Sequence, residues 1–318
     1  MIERAKVAVV GVGNNVSALV QGIAFHRATG SLVGICRPEV DGLGVGDIDF
    51  VAAFAVSDAK VGADLCDAIF VAPNNFPRIT TELPPSGVRV QRGLTDASEV
   101  DRVANALTGA EVVLYSAPSG RPEVARAYAE AALRAGAAFI NTTSDVVARD
   151  PQWIERFEAA GLPLLGDDLT SQFGTSIVHR TLLRLLEERG LTLTSSYQVN
   201  LGGTEDIRNL AHNGSSKKQS KLNALGSEQS TAGRIEMAPI GHIANLRSEK
   251  VAYLNIEAQG WGETSVSLDI KLKVHDPSGA AGVTVDLVRM AVGALRAGRG
   301  GHVPAAATML KSPPGTTA

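Results

Sequence analysis

The feature that most constrains the fold lies at the N-terminus, where an apolar strand runs directly into a glycine turn. Residues 6–10 read KVAVV, a pattern typical of a parallel strand buried on both faces. Gly11, Val12 and Gly13 follow at once, and a helix is expected to begin near Asn14. Glycines at such a turn let the backbone approach a phosphate, and the start of the helix offers unbonded N–H groups.

The glycine turn alone does not fix the ligand. The candidate residues for binding a dinucleotide pyrophosphate are Gly11, Gly13, Asn14 and Asn15. Val16, however, occupies the place of the third glycine in the GxGxxG pattern. A purely structural glycine turn, in a fold that binds another ligand, is the alternative.

Apolar blocks alternate with helical blocks over the first part of the chain. The strand-like blocks are DFVAAFAV at 49–56, EVVLYSA at 111–117, AFINTT at 138–143 and LPLLGDD at 162–168. Helical periodicity separates the later blocks at 122–136 and 151–160. This alternation predicts an α/β fold with a doubly wound, Rossmann-like parallel sheet. We expect this nucleotide-binding domain to comprise residues 1–192 plus 289–318.

The pattern changes after a long helix that is predicted at about 171–190. Apolar and polar side chains alternate in 193–202 and 250–275, which predicts a second, α+β domain at 193–288, built on a largely antiparallel sheet. Gly262-Glu263 lies at the centre of an expected hairpin. One face of this sheet is expected either to mediate oligomerisation or to pack on the domain's own helices.

The end of the second strand departs from the pattern typical of NAD-binding folds. An acidic residue is usual there because it hydrogen-bonds the adenosine ribose. Ala55 holds that position, and Asp58 in the following turn is the candidate substitute. We therefore expect weaker or differently arranged contacts to the ribose.

A second candidate site joins a strand to a helix at 166–175, which reads GDDLTSQFGT. Hydroxyl, amide and backbone N–H groups near a helix start are typical anion ligands, and the candidates here are Ser171, Gln172, Gly174 and Thr175. A capped helix is the alternative. Asp167 and Asp168 follow the strand at its carboxyl end, where open α/β sheets bind ligands.

Lysines form the third candidate site. Residues 216–221 read SKKQSK, and Lys250 and Lys311 lie further along the chain. Lysines in loops are usually solvated, and the surrounding stretch 213–230 is expected to be a mobile loop. In a buried cluster, however, desolvation and mutual repulsion lower ammonium pKa values, so one lysine can transfer protons while another stabilises an oxyanion. The spacing leaves both possibilities open.

Charge and cysteine usage exclude several classes of partner. The net charge of −3 gives no basic excess for binding nucleic acid or an anionic membrane surface. Cys36 and Cys66 show neither CxxC nor Cys/His spacing, so we expect no metal site and no disulfide framework, and a reducing cytoplasm fits best. We also expect no signal peptide and no membrane span, because no stretch approaches the ~20 apolar residues that a spanning helix needs.

Seven segments of the chain resemble, in order, the myo-inositol-1-phosphate synthase family, especially its shorter bacterial and archaeal members. They are GVGNNVSALVQG, GDDLTSQFGTSIVHR, NLGGTEDIRNL, SKKQSK, RSEKVAYL, KLKVHDPSGAAG and MLKSPP. The resemblance spans nearly the whole chain. It implies a homotetrameric, NAD-dependent isomerase that oxidises a hexose 6-phosphate such as glucose 6-phosphate, enolises the ketone, closes a carbon ring by aldol attack and reduces the product with the same NADH.

The resemblance also implies roles for individual residues. The residues that match the catalytic group are Lys217, Lys221, Lys250, Lys311, Asp168 and Asp206. Those that match the phosphate site are Ser171, Gln172, Gly174 and Thr175, helped by Lys221. Those expected to face NAD, beside the glycine turn, are Ser116, Asn141 and Asp276. Enolate and alkoxide intermediates need fixed cations, which lysines supply without a metal.

Several positions depart from the family pattern, namely Ala55, Ser144, Thr170, Thr204 and Pro277. A specialised relative with a shifted substrate is therefore one alternative, in particular one that converts fructose 6-phosphate to a five-membered cyclitol phosphate. An NAD(P)-linked dehydrogenase, which releases reduced cofactor, is another. A catalytically silent protein that binds a nucleotide or a partner is a third, and the presence of all four matched lysines argues against it.

Overall fold

Two sheets and their covering helices make up the computed structural model, which describes residues 3–80, 83–212, 215–225, 233–238 and 240–316. The strands are β1 (Ala5–Val10), β2 (Glu39–Val40), β3 (Leu43–Gly44), β4 (Ile48–Ala55), β5 (Val90–Arg92), β6 (Val112–Tyr115), β7 (Ala138–Asn141), β8 (Pro163–Leu165), β9 (Thr192–Gly202), β10 (Ile235–Met237), β11 (Gly241–His242), β12 (Glu249–Gln259), β13 (Ser265–His275) and β14 (Gly301–His302).

The helices alternate with the strands through the first part of the chain and then cluster around the second sheet. They are α1 (Asn14–Thr29), α2 (Leu65–Ala68), α3 (Val100–Ala106), α4 (Pro122–Ala135), α5 (Pro151–Ala159), α6 (Thr175–Glu188), α7 (Glu205–His212), α8 (Ser215–Leu225) and α9 (Asp276–Arg296). Short 3-10 helices lie at Ala244–Leu246, Trp261–Glu263 and Pro304–Met309.

The first sheet is parallel, with strand order β14-β8-β7-β6-β1-β4-β5. The chain leaves β1 toward β4 and β5 on one side and returns to β6, β7 and β8 on the other. This reversal defines the doubly wound arrangement, in which ligands bind at the carboxyl ends of the strands beside the reversal. The predicted Rossmann-like sheet is confirmed.

Both faces of β1 are buried, as its uninterrupted apolar run predicts. Val7 and Val9 pack with residues of α1 and α9 on one face of the sheet. Ala8 and Val10 pack with residues of α3, α4 and α5 on the other face. The helix layers thereby hold the end of β1, and the glycine turn that follows it, at the middle of the sheet edge.

Helix α9 is the most apolar helix of these layers. Its length and composition would allow it to cross a membrane, which differs from the expectation drawn from the sequence. Of its most apolar window, however, 67% is buried inside the protein, and Leu287 and Val288 are completely covered. Such burial is typical of the core helix of a folded domain.

The second sheet has the order β10-β9-β12-β13, and β11 also pairs with β9. Strands β9, β12 and β13 are antiparallel, while β10 and β11 run parallel to β9. The β12–β13 hairpin turns at Trp261–Glu263, so the predicted hairpin is confirmed. The predicted mobile loop at 213–230 is partly corrected, because α8 occupies Ser215–Leu225. The rest of that stretch, 213–214 and 226–230, lies outside the described residues.

Two helices lie near the predicted domain boundaries at 192 and 289, and their packing bears on where the domains divide. Helix α6 packs on α8, β9 and β12, and its Leu183 shares a core with Leu225 and Met237. Ala280 and Val283 at the start of α9 belong instead to the core of the parallel sheet. On this packing we propose that the second domain comprises residues from about 175 to 275, since helical periodicity identifies both helices without showing which sheet each one covers.

Candidate active site

A cavity of about 250 Å³ opens between the two domains, at the carboxyl ends of β1, β4 and β6. One half of its wall is formed by the glycine turn after β1 and by the residues that follow β4 and β6. The other half comes from α7, α8, the starts of β12 and α9, and the C-terminal segment. The cavity thus lies where the strand order reverses, which is the usual ligand crevice of this type of sheet.

The glycine turn belongs to the half of the cavity wall that the parallel sheet contributes. This half, where a nucleotide is expected to bind, is called the nucleotide-facing half. Gly11 has a φ of +88°, and a Cβ atom on it would lie 2.6 Å from the carbonyl oxygen of Ser116, so only glycine fits between these strand ends. Gly13 precedes α1, whose first turn has no side-chain cap. The first N–H groups of α1 therefore remain available to an anion in the cavity.

The side chain of Asn14 binds a neighbouring segment of the chain. Its Oδ1 atom accepts hydrogen bonds from the backbone N–H groups of Asn75 (2.8 Å) and Phe76 (2.9 Å), and its Nδ2 atom donates to Oδ1 of Asn75 (3.0 Å). Asn14 and Asn15 both line the cavity. The backbone of Asn14 is thus placed to meet a phosphate, while its amide anchors the 75–76 segment.

The expected ribose-binding position has no acidic side chain on the cavity wall. Ala55, Val56 and Ser57 line this part of the cavity. Asp58 is not part of the lining; its side chain is 90% exposed and pairs with the guanidinium of Arg92. The structure therefore gives no support to Asp58 as the substitute ribose ligand.

Lys60 is a cavity residue that the sequence analysis missed. Its Nζ atom donates to the carbonyl oxygen of Val12 (2.7 Å) and to Oδ1 of Asn74 (2.8 Å). Burial lowers the pKa of Lys60 to about 8. The ammonium group of Lys60 thus binds the backbone of the glycine turn. Because residues 12 and 60 are far apart in the chain, no local sequence motif identifies this contact.

The four predicted lysines meet on one side of the cavity. Lys217 and Lys221 lie four residues apart on α8, and so they face the same way. Lys250 is near the start of β12, and Lys311 follows the last 3-10 helix. The buried cluster, rather than a set of solvated lysines, is therefore the correct alternative.

Asp168 connects two of these lysines. Its Oδ1 atom accepts hydrogen bonds from Nζ of Lys217 (2.8 Å) and Nζ of Lys311 (3.0 Å), and Asp168 is only 1% exposed. Burial tends to raise the pKa of Asp168, but the two ammonium groups prevail and hold that pKa below its usual value. The ionised carboxylate therefore fixes both lysines in position.

The pKa values of the lysines move in opposite directions. Burial opposes the charge of Lys217, but Asp168 and Asp206 outweigh it and raise the pKa of Lys217 above its usual value. Burial lowers the pKa of Lys311 to about 8, with Asp168 opposing the effect. Burial, together with the charges of its neighbouring lysines, lowers the pKa of Lys221 strongly. The cluster thus contains a firmly charged ammonium group beside amines that lose protons more readily.

Asp276 belongs to the lysine cluster in this structure. Its carboxylate accepts hydrogen bonds from Nζ of Lys250 at 3.1 and 3.3 Å, and from the hydroxyl of Ser171 at 3.4 Å. Burial raises the pKa of Asp276, but Lys250 and Lys311 prevail and lower it. Asp276 also lines the cavity, so the expected contact with a cofactor stays a prediction, while its carboxylate orients Lys250.

Asp206 points into the cavity from the first turn of α7. Asp206 is exposed to the solvent of the cavity, and its enclosure by the surrounding protein raises the pKa of its carboxyl. Lys217 opposes the shift, whereas the negative charges of Asp276 and Asp168 reinforce it. Asp206 therefore holds a proton to higher pH than an ordinary aspartate does.

Of the four residues predicted to bind the phosphate, two remain available to a ligand, and the side chains of the other two are bonded to protein groups. Ser171 lines the cavity, and Gly174 precedes α6 without a side-chain cap. Thr175 is buried and donates from Oγ1 to Oδ1 of Asn200 (3.1 Å). The amide of Gln172 donates to the carbonyl oxygen of Gly34 and is not part of the cavity wall, so a phosphate role for this side chain lacks structural support.

Asn141 is completely buried and lies outside the cavity wall. Its Nδ2 atom donates to the carbonyl oxygen of Asp145 (2.7 Å) and to Oδ1 of Asp167 (2.8 Å), while its Oδ1 atom accepts from Thr143. Both the nitrogen and the oxygen of the side-chain amide are therefore bonded to protein groups in neighbouring loops. The cavity is lined instead by the next two residues, Thr142 and Thr143, so the expected contact of the Asn141 side chain with a cofactor is not supported.

Asn200 is a second residue that sequence reasoning missed. It lies on β9, lines the cavity and is 1% exposed. Its Oδ1 atom accepts from Thr175 and Gln198, whereas its buried Nδ2 atom has no hydrogen-bond partner within the described residues. A buried donor without a partner is costly, which indicates a ligand position beside it.

The fold and the cavity define a two-domain enzyme of the doubly wound α/β class, in which a nucleotide-type crevice faces a cluster of lysines and aspartates. Among the described residues, no group of three or more His, Cys, Asp or Glu side chains could hold a metal ion.

Comparison with known proteins gives the family. The model of the family described as myo-inositol-1-phosphate synthase matches residues 174–277, which is almost the second domain found here. The inositol-3-phosphate synthase of Mycolicibacterium smegmatis is 41% identical over 97% of this chain and 93% of that protein. The chain therefore belongs to the myo-inositol-1-phosphate synthase family, whose members are isomerases.

Solved structures agree with this assignment. The crystal structure of Ari2 superimposes with a TM-score of 0.88 at 49% identity, covering 99% of this chain and 94% of Ari2. A myo-inositol-1-phosphate synthase-related protein from Thermotoga maritima superimposes with a TM-score of 0.78 at 23% identity, covering 98% of this chain and 93% of that one. The second likeness concerns the fold alone.

A substitution at Ala55 tests the ribose position. We expect Ala55→Asp to tighten NAD binding about 10-fold, because a carboxylate would accept hydrogen bonds from the ribose hydroxyls. The same charge would weaken the binding of NADP, whose 2′-phosphate it repels. Isothermal titration calorimetry with each dinucleotide measures both effects, and Ala55→Val is the matched control without an acceptor. Equal NAD affinities of the unchanged protein and both variants would contradict the expectation.

Proposed function

We propose that this chain is an NAD-dependent sugar-phosphate cyclase that converts a hexose 6-phosphate to a cyclitol phosphate. The observation that carries the proposal is the meeting of Lys217, Lys221, Lys250 and Lys311 in one cavity with the glycine turn. A ring closure through an enolate needs fixed positive charge at the developing oxyanions. A crevice for a dinucleotide beside that charge supports oxidation and reduction of the same substrate.

The residues of the nucleotide-facing half fit NAD. Gly11 and Gly13 leave room for a pyrophosphate, which the uncapped start of α1 would stabilise. Ser116 and Thr142 line the same cavity as the lysines and would contact the nicotinamide end of the cofactor. Bound there, NAD would accept a hydride from the sugar phosphate and return it after ring closure.

The lysines of the cluster differ in how firmly they hold their protons, so they are suited to different steps of the reaction. Lys217, held charged by Asp168, is suited to stabilise an enolate or alkoxide oxygen. Lys311, with its lowered pKa, is suited to accept the proton removed during enolisation. Lys250 is held by Asp276, and Asp206 can return a proton because it retains one at higher pH.

The substrate phosphate is assigned to the region between Ser171 and Lys221. No carboxylate partner of Lys221 is found in the described ranges, and its amine is desolvated beside three other lysines. A phosphate dianion there would compensate that repulsion and make hydrogen bonds to Ser171 and to N–H groups at the start of α6. Asn200 supplies a further unpartnered donor.

Glucose 6-phosphate is the first candidate substrate, and fructose 6-phosphate is the second. The second is favoured by three departures from the family pattern, since Ala55, Thr204 and Pro277 all line the cavity. Closure of fructose 6-phosphate to a five-membered ring would use the same lysines, because only the carbonyl position and the ring size change. An NAD(P)-linked dehydrogenase is less well supported, since it would not require four lysines at one cavity.

A homotetramer in the cytoplasm is the proposed state. Strand β13 is an edge strand on which Val266 and Leu268 are exposed, and Trp261 at the hairpin turn is 96% exposed. Long edges with exposed apolar side chains are usually covered by a partner. The two cysteines are unpaired in this structure, which suits a reducing compartment.

The central test is incubation of the purified protein with NAD and either glucose 6-phosphate or fructose 6-phosphate. We expect a cyclitol phosphate of unchanged elemental composition, identified by mass spectrometry and NMR, with no net formation of NADH. Accumulation of NADH, seen in its near-ultraviolet absorbance, would instead identify a dehydrogenase. Failure to convert either sugar would overturn both candidate substrates.

Two lysine substitutions test the catalytic cluster. We expect Lys217→Ala and Lys311→Ala each to lower kcat by at least ~100-fold, the scale of lost acid–base or oxyanion catalysis, while NAD binding stays intact. Lys218→Ala is the matched control, because Lys218 lies on the same helix but is exposed. Near-normal turnover in both cluster variants would refute the assignment.

The pH dependence tests the proton-accepting role of Lys311. The amine is protonated below its pKa of about 8 and cannot then accept a proton. We therefore expect kcat/KM to rise with pH and to level off above about pH 8, in a profile corrected for substrate ionisation. A rate that falls as the pH increases from 7 to 8, as would follow if Lys311 must be charged, would contradict this role.

A further inference from the structure

The two halves of the cavity are connected by the side chain of one asparagine. Oδ1 of Asn75 accepts from Nδ2 of Asn14 at 3.0 Å, and Nδ2 of Asn75 donates to the carbonyl oxygen of Gly203 at 3.0 Å. Asn14 lies at the start of α1, beside the glycine turn, whereas Gly203 lies in the second domain between β9 and α7. The amide thus joins the nucleotide-facing half to the loop that leads to Asp206.

Gly203 is held tightly at the far end of this connection. A Cβ atom there would lie 2.3 Å from the backbone nitrogen of Arg247 and 2.8 Å from the carbonyl oxygen of Ile243. The backbone at Gly203 is therefore packed directly against the 243–247 turn, with no space for a side chain between them. Because α7 begins two residues later, a shift of Gly203 would also shift Asp206.

A second asparagine connects the same helix to the first domain. Nδ2 of Asn209 donates to the carbonyl oxygen of Ser119 at 2.8 Å. Ser119 follows β6, is 4% exposed and lines the cavity. In the sequence, Asp206 thus lies midway between Gly203 and Asn209. Each of these two residues is hydrogen-bonded to a residue of the first domain.

We propose that Asn75 and Asn209 are positioning residues that couple dinucleotide binding to sugar-phosphate binding. This inference rests on the proposed function. An anion at the start of α1 fixes the backbone of Asn14, and its side chain holds Asn75 against Gly203. Through these contacts the dinucleotide places Asp206 and its neighbours for the second ligand. Coupling of this kind is reciprocal, so each ligand tightens the other by the same factor.

Calorimetry on the full chain tests the coupling. The probe is sorbitol 6-phosphate, an open-chain hexitol phosphate that lacks the carbonyl group needed for ring closure. Its Kd is measured with and without saturating NAD, and the ratio is the coupling factor. We expect a factor of about 10 for the unchanged protein, which is within the usual range for coupled sites.

In Asn75→Ala and in Asn209→Ala we expect the factor to fall to about 1–3, while the Kd for NAD alone changes less than about 3-fold. Asn105→Ala, an exposed asparagine on α3, is the control and should keep the full factor. Thermal unfolding midpoints close to that of the unchanged protein establish that each variant is folded.

Three results distinguish failure of the inference from failure of the proposed function. Binding of both ligands with an unchanged coupling factor in the two variants would overturn the inference and leave the proposed function standing, and so would loss of NAD binding in Asn75→Ala. Failure of the unchanged protein to bind either ligand would overturn the proposed function itself.

Discussion

The carboxylate of Asp168 is the contact on which the site depends. It accepts hydrogen bonds from Lys217 on α8 and from Lys311 in the C-terminal segment, so three distant parts of the chain meet at one buried oxygen. The backbone reinforces the arrangement, since the N–H of Lys311 donates to the carbonyl oxygen of Asp168 at 2.7 Å. Without this negative charge the lysines would repel one another across a desolvated space, and one of the contacts that join the second domain to the first at the cavity would be lost.

The parts of the fold that could be predicted from the sequence are those encoded locally. The run at residues 6–10 and the turn at Gly11 specify a buried strand and a phosphate-binding corner within a few residues. The hairpin around Gly262-Glu263 is encoded in the same way, by alternation on both sides of a turn. Helix α8 could not be predicted, because its composition is mostly polar and resembles that of a loop. Only a short buried face around Leu225 packs it against the rest of the domain.

The site was predictable as a set of residues but not as a set of contacts. The lysines follow from the resemblance of their motifs to those of the family, whereas the partner of each lysine depends on how the domains meet. Asp276 and Lys250 come together only because the β12–β13 hairpin returns the chain to its starting point. Asn141 and Gln172 carry amides that suit a ligand, and only packing shows that both are already bonded to protein groups. Lys60 and Asn200 reach the cavity through tertiary contacts that no local pattern marks.

On the proposed function, chemistry and substrate choice reside in different parts of the wall. The lysines and their aspartates keep the family pattern, whereas Thr204 and Pro277, which lie beside them, do not. A change of side chain at these positions alters the shape offered to the sugar without disturbing the cations. Relatives that share the cluster can therefore differ in the carbocycle they make.

The helical conformation of α8 limits how this part of the chain can evolve. Lys217 and Lys221 reach the cavity together because one helical turn separates them. Insertion or deletion of a single residue between them would rotate one ammonium group by roughly 100° about the helix axis, away from Asp168 and its neighbours. The number of residues between Lys217 and Lys221 is therefore fixed. Related sites can differ by substitution of the surrounding side chains, but not by insertion or deletion between the two lysines.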